Sequence, residues 1–324
     1  MSGVVRCKLC PKECELAPGQ RGDCRARVNL DGKLVTLVYG KPCAARPDPV
    51  EKKPMFHFLP GTRIFSIATA GCNLHCKFCQ NWDISQKNPE DARNIDMPPQ
   101  KVVQAARGYS CLSVAYTYSE PLTFYEYTRD TCVLAKKAGL KNVIVTAGYI
   151  NEEPLRELCE SVDGANVDLK AFTEEYYRDM CDGDLATVLR SLRIMREEGV
   201  FIEITNLVLP GHNDDPTLIK EMCEWIKDNL GARTPIHFSR FHPQYRMMHL
   251  YPTPAKTLQT ARDVAKETGL HHVYVGNVPG VDEDTYCPRC GKTVISRIGY
   301  RVTSYKLDDG RCSYCGTPIA GVWK

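Results

Sequence analysis

The sequence predicts an α/β fold built as a partial β/α barrel of six units, (β/α)6, flanked by small cysteine-rich modules. Three observations carry this expectation. Short apolar runs of strand type alternate with longer amphipathic runs of helix type from about Arg63 onward, and helices between successive strands make the strands parallel. Six such units follow one another, although an open doubly wound sheet satisfies the same composition. Eleven of the seventeen cysteines fall into three short-spaced groups, two of them outside the alternating region. The expected division is therefore 1–60 for a cysteine-rich module and linker, 61–280 for the barrel, and 281–324 for a zinc-ribbon or rubredoxin-like module.

The first 60 residues are rich in Pro and Gly and leave little room for long helices. Residues 33–39 alternate weakly and predict a strand, and the prolines from Pro42 to Pro60 predict a linker. Barrel strands are expected at 64–68, 112–117, 142–146, 165–169, 201–207 and 236–239, with a short extra strand at 272–275. Helices are expected at 99–107, 123–137, 152–161, 186–197, 216–229 and 254–267. Pro99, Pro216 and Pro254 stand near helix starts, where a missing N–H is harmless. Gly139, Gly199 and Gly269 stand where a helix hands over to a strand.

Composition narrows the function classes. With 43% hydrophobic residues, 25% charged residues and a net charge of +3, the chain is globular and too weakly basic for nucleic acid to be its main partner. No run of 18 apolar residues and no export segment is present, which with so many unpaired-looking cysteines points to a reducing cytoplasm. Cys43, Cys111, Cys132, Cys159, Cys181 and Cys223 are scattered and read as small core hydrophobes.

The cysteine groups carry the chemistry. Cys72, Cys76 and Cys79 have the spacing Cys-x3-Cys-x2-Cys, with Phe78 before the last. Three thiolates can hold three irons of a [4Fe–4S] cube and leave the fourth iron open. A zinc knuckle is the alternative, but tetrahedral zinc needs a fourth ligand and Cys111 lies 32 positions beyond Cys79. The group follows the first barrel strand, at the carboxyl end where such barrels work. Cys287, Cys290, Cys312 and Cys315 form two Cys-x2-Cys knuckles, each followed by Gly, a four-thiolate pattern for zinc or iron. Cys7, Cys10, Cys14 and Cys24 form a further set that could hold its own zinc or stay unmetallated.

With these residues in place, the stretch from Gly71 to Trp82 resembles the signature of the radical S-adenosylmethionine (SAM) superfamily. That resemblance implies a [4Fe–4S] cluster whose open iron binds SAM. Tyr118-Ser119-Glu120-Pro121 resembles the Gly-Gly-Glu-Pro element that contacts the SAM amino group, with Tyr118 and Ser119 in place of the glycines. An N-cap formed by Ser119 ahead of Pro121 is compatible with this role. Asp168-Leu169-Lys170 resembles an element lining the SAM pocket of pyruvate formate-lyase activating enzymes, and strand alternation points Asp168 and Lys170 the same way. Thr146 ends the third strand, where those relatives have Asp-Thr-Asn-Gly; Val145 replaces the Asp, so a cation site there is not expected.

Thr205 and the loop from Pro210 to Asp215, with His212, resemble another element of the same relatives. Arg240 and His242 end the sixth strand and, with His212, are the expected substrate contacts; His237 reads equally as structural. Trp82 and Asp83 could shape the substrate mouth, and packing explains Trp82 equally well. The long match from Cys7 through Asp48-Pro49-Val50-Glu51-Lys52-Lys53-Pro54 to Ser85 resembles the radical SAM member of the AmmeMemoRadiSam system.

The resemblance implies an enzyme that cleaves SAM to methionine and a 5′-deoxyadenosyl radical, which abstracts hydrogen from a protein glycine or a small molecule. It also implies an external one-electron reductant such as flavodoxin or ferredoxin, and Memo-like and AMMECR1-like partner proteins. The rival expectation is a non-catalytic iron–sulfur or zinc scaffold, or a nucleic-acid-binding module.

Overall fold

The computed structural model describes residues 3–324. Eight strands form its main sheet: β1 (Ala44–Pro49), β2 (Arg63–Ala68), β3 (Ser113–Tyr116), β4 (Lys141–Thr146), β5 (Gly164–Asp168), β6 (Phe201–Val208), β7 (Ile236–Arg240) and β8 (Val273–Gly276). The helices between them are α1 (Pro99–Gly108), α2 (Tyr125–Lys137), α3 (Glu152–Cys159), α4 (Leu185–Glu197), α5 (Pro216–Leu230) and α6 (Ala255–Glu267).

Strand order follows chain order from one edge to the other, and β2 to β8 run parallel. A doubly wound sheet must reverse its order at a switch point; this sheet never does. Right-handed crossovers then put every helix on one face and curl the sheet into a partial barrel. The strands are buried on both sides, by helices outside and the barrel interior within, which is why β3 reads as fully buried. Asp184 caps α4 by accepting from the Thr187 N–H at 2.7 Å, and Asp215 caps α5 ahead of Pro216. Val188, Leu192 and Met195 turn one face of α4 into the core, at about 1.5–3 kcal/mol per large apolar side chain.

The expected linker between Pro42 and Pro60 is corrected by β1, which pairs antiparallel with β2 from Ala44 opposite Ala68 to Pro49 opposite Arg63. Pro47 and Pro49 disguise it. An edge strand tolerates proline because one side of its backbone has no ladder to serve. The extra strand expected at 272–275 is β8, the other edge of the sheet.

Both cysteine-rich ends grip the barrel. In the N-terminal one, Arg27–Leu30 pairs with Lys33–Thr36, and Arg27 forms a two-pronged ion pair with Glu126 of α2 at 2.8 and 2.7 Å. In the C-terminal one, Thr293–Ile298 pairs with Arg301–Tyr305 over a small core of Val294, Ile295 and Ile319. It docks through Arg297, which donates to the Phe56 carbonyl at 2.7 Å, and through Val322, bonded to the His57 carbonyl at 2.7 Å.

Candidate active site

The Cys72–Cys79 loop leaves the carboxyl end of β2. It is fixed from below by the His75 N–H to the Cys181 carbonyl at 2.8 Å and the Lys77 N–H to the Met180 carbonyl at 2.9 Å. Asn81 donates to the Tyr118 carbonyl at 2.8 Å, and Ser85 lies 3.3 Å from the Cys79 sulfur. Phe78 is buried beside the thiols, and Lys170 lies 5.9 Å from its ring centre. Burial pushes the Cys72 and Cys79 thiols up, whereas a hydrogen bond from Cys181 and the charge of Lys170 pull Cys76 down.

All three thiols line one cavity of about 510 Å³, and Glu120, Thr146, Asp168, Lys170 and Thr205 line it too. Sheet register explains the grouping. Asp168 of β5, Thr205 of β6 and His237 of β7 stand opposite one another in a single row, with Leu207 and Ser239 one row higher. Lys170 pairs with Asp168 at 2.9 Å; burial opposes its charge, but Asp168, Cys76 and Cys181 outweigh that and keep it protonated. Glu120 is 3% exposed and accepts from Thr146 Oγ1 at 2.5 Å and the Ala147 N–H at 2.8 Å. Burial pushes its carboxyl up to about 7 against those bonds.

The three expected substrate residues are not brought into this cavity. Arg240 turns back to the Thr253 carbonyl at 2.9 Å, His242 is exposed, and His212 lies on a separate shallow pocket beside Phe172. Arg240 is the last residue of β7 and alternates to the face opposite His237 and Ser239, while His212 and His242 lie in the loops beyond β6 and β7. His237, one strand turn earlier, faces the cavity and donates from Nε2 to the buried Glu203 at 2.7 Å.

Other cavity residues escaped sequence reasoning. Arg46 and Lys53 enter from β1 and its following turn, and Glu283 and Tyr300 from the C-terminal module. Lys53 donates to Asp48 at 2.8 Å and sits 4.2 Å above the Tyr118 ring, with Tyr118 itself donating to Asp48 at 2.5 Å. The string Glu51-Lys52-Lys53 is the available signal, hidden because the prolines of β1 read as a linker. Trp82 stacks on Tyr245 with ring centres 5.4 Å apart, near the loop.

The cysteine sets differ in spread. Among the described residues, Cys287, Cys290, Cys312 and Cys315 bring their sulfurs within 4.8 Å of one another. The pairs Cys287–Cys315 and Cys290–Cys312 lie at 3.5 and 3.8 Å, close to the roughly 3.8 Å expected around one tetrahedral ion with 2.3 Å bonds. Among the described residues, neither the Cys72 triad nor the Cys7 set brings its sulfurs within 4.8 Å of one another. Three wide-set thiols on the wall of a large cavity, with a lysine beside them, suit a polynuclear cluster with one open iron.

Residues 66–225 match the model of the Radical SAM superfamily, so the chain carries a Radical SAM domain. It is 43% identical over 318 residues to the uncharacterized protein MJ0808 of Methanocaldococcus jannaschii, covering 97% of this chain and 95% of that protein. It is homologous to the pyruvate formate-lyase-activating enzyme of Listeria monocytogenes, at 24% identity over 52% of this chain and 71% of that enzyme. Among solved structures, Streptococcus suis SuiB bound to its precursor peptide SuiA overlays with a TM-score of 0.53. That overlay covers 70% of this chain and 51% of SuiB at 12% identity, a likeness of fold. No helix among the described residues is long and apolar enough to cross a membrane.

Proposed function

We propose that this chain is a radical SAM enzyme in which Cys72, Cys76 and Cys79 anchor a [4Fe–4S] cluster. With that cluster and SAM bound, the site would supply one-electron cleavage of SAM to methionine and a 5′-deoxyadenosyl radical. The observation that carries the proposal is the shared wall of the three thiols with Glu120, Asp168 and Lys170.

Each residue then has a task its position supports. Glu120, anchored by Thr146 and Ala147, holds a carboxylate towards the SAM ammonium. The Lys170–Asp168 pair supplies one fixed positive and one fixed negative charge beside the thiols. Phe78 keeps water off the thiol wall. Thr205 donates to Asn166 at 2.9 Å and keeps the row between Asp168 and His237 rigid. His237, held by Glu203, presents a ring to the substrate end of the cavity.

Membership of the superfamily requires an external electron donor; flavodoxin or ferredoxin would serve. Homology to activating enzymes supports hydrogen abstraction from a partner protein's glycine, with small-molecule modification the other outcome. The placement within an AmmeMemoRadiSam system, the Memo-like and AMMECR1-like partners, and zinc in the C-terminal set belong to this proposal. So does the cytoplasmic setting.

Anaerobic incubation of the reconstituted chain with dithionite and SAM tests the core of it. Methionine and 5′-deoxyadenosine should appear together. Neither product, under conditions where a control enzyme turns over, leaves only the scaffold alternative.

A further inference from the structure

Cys7, Cys10, Cys14 and Cys24 line one cavity of their own, on the far side of the Cys72 loop. Cys72 and Leu74 face the large cavity, whereas Asn73 between them faces this smaller one. The strand-like hydrogen bond from the Cys7 N–H to the Cys14 carbonyl at 3.0 Å and the turn from the Glu13 N–H to Cys10 fold the knuckle. Cys24 arrives on a separate turn beside Gly22.

Arg27 marks the cavity as built for a charged occupant. It lines the wall, is 5% exposed and gives both η nitrogens to Glu126, yet its Nε has no partner. A buried N–H left without an acceptor costs about 1–3 kcal/mol. Four thiolates and the sulfides of a cluster would supply acceptors next to it.

The spread of the thiols selects the occupant. The C-terminal set shows what this chain does for one ion, with all four sulfurs inside 4.8 Å. The N-terminal set stays wider, as the Cys72 triad does, while still converging on a single cavity. We infer that Cys7, Cys10, Cys14 and Cys24 hold a second [4Fe–4S] cluster, ligated at all four irons. With four thiolates on a core of charge 2+, the oxidised site carries net charge −2, and the Arg27 guanidinium stands against it. Full ligation leaves no iron open to SAM. The inference does not depend on SAM cleavage by the first site.

The two sites share one loop. Asp23, next to Cys24, accepts from His75 Nε2 and from Lys12 at 2.8 Å each, and Lys12 also reaches Asp182 at 2.6 Å. That ammonium occupies the space between the two carboxylates, so the Asp23–His75–Asp182 group is an ionic tie between the module and the loop.

The test is metal and sulfide content of the full chain, purified anaerobically and reconstituted with iron and sulfide. Wild type should hold about eight irons and eight sulfides, and the Cys72→Ala/Cys76→Ala/Cys79→Ala variant about four of each. Dithionite-reduced wild type should show two paramagnetic signals, only one of which changes when SAM is added. Cys10→Ala/Cys24→Ala in the triple variant should remove the remaining iron while one zinc per chain stays. A triple variant without iron but with two zincs, or a wild type with only four irons, overturns the second cluster, and the wild-type count decides should the triple variant fail to fold. Four irons in the triple variant with no SAM cleavage by wild type would leave this inference standing and sink the proposed function instead.

Discussion

Gly71 is the point where a single methyl group should disturb the cluster loop and the fold together. Its φ is +99°, and a Cβ built there lies 2.4 Å from the Cys24 carbonyl oxygen. Side-chain carbons do not approach closer than 3.0 Å, so Gly71→Ala must move the Cys72 loop or the Cys24 turn by about 0.6 Å or more. Gly199 gives the matched control, with φ +78° and nothing within 4 Å of its Cβ. Left-handed strain of about 1–2 kcal/mol applies to both alanines, while overpacking against backbone adds about 1–3 kcal/mol at Gly71 alone. Displacement of that order at a reacting centre can lower rate by about 100-fold. Iron per chain, melting temperature and SAM cleavage should therefore fall together in Gly71→Ala. Gly199→Ala should lose only a little melting temperature and keep its iron. Equal behaviour of the two variants would refute the close packing of the N-terminal module on the cluster loop.

Three further expectations concern the cavity wall and the metal sites. Glu203→Ala strips the acceptor from the Phe56 N–H, the His57 N–H and His237, at 3.0, 2.7 and 2.7 Å. At about 1–3 kcal/mol per orphaned group this totals about 3–9 kcal/mol, a large part of ordinary stability; Glu203→Gln should recover part of it, and an unchanged melting curve for the alanine variant would exclude the role. Burial raises Glu120 to about 7, so its ionised fraction, and with it SAM affinity, should climb from pH 6 to 7.5. The same upward shift stabilises the SAM-free fold at low pH, and that contribution is lost as pH rises through about 7. Binding titrations should flatten in Glu120→Gln, and affinity that falls over this range would contradict the assignment. Cys76→Ala should abolish SAM cleavage and the iron of the first site but leave zinc content intact; loss of zinc would show that the metal sites are not separate.

Six barrel strands and their helices were legible because each pairs an apolar run with an amphipathic one, and several carry a proline at the helix start or a glycine at the handover. The shared cavity wall of the triad, Glu120, Asp168 and Lys170 was legible through motif spacing at strand ends. β1 was not, since Pro47 and Pro49 remove the donors by which a strand is recognised, and Arg46 and Lys53 were lost with it. From sequence Arg240 and His242 rank above His237, because charged residues at and just past a strand end look exposed to substrate. Strand alternation instead turns His237 and Ser239 to the cavity and Arg240 away from it, and His242 lies beyond the strand. Tyr300 could not be found at all from local sequence, since it reaches the cavity from a module that looks self-contained.

The docking of the C-terminal module also bears on synthesis of the chain. The His57 ring, fully buried and held neutral by burial, donates from Nδ1 to the Ala320 carbonyl at 2.7 Å, across 263 positions of sequence. Its Nε2 accepts from Tyr274 at 2.7 Å, so the ring needs two late segments before it is satisfied. During translation the barrel underside therefore stays open until residue 320 has cleared the ribosome. A message cut short of that point would yield a barrel with a bare apolar underside, a target for proteolysis rather than a functional fragment.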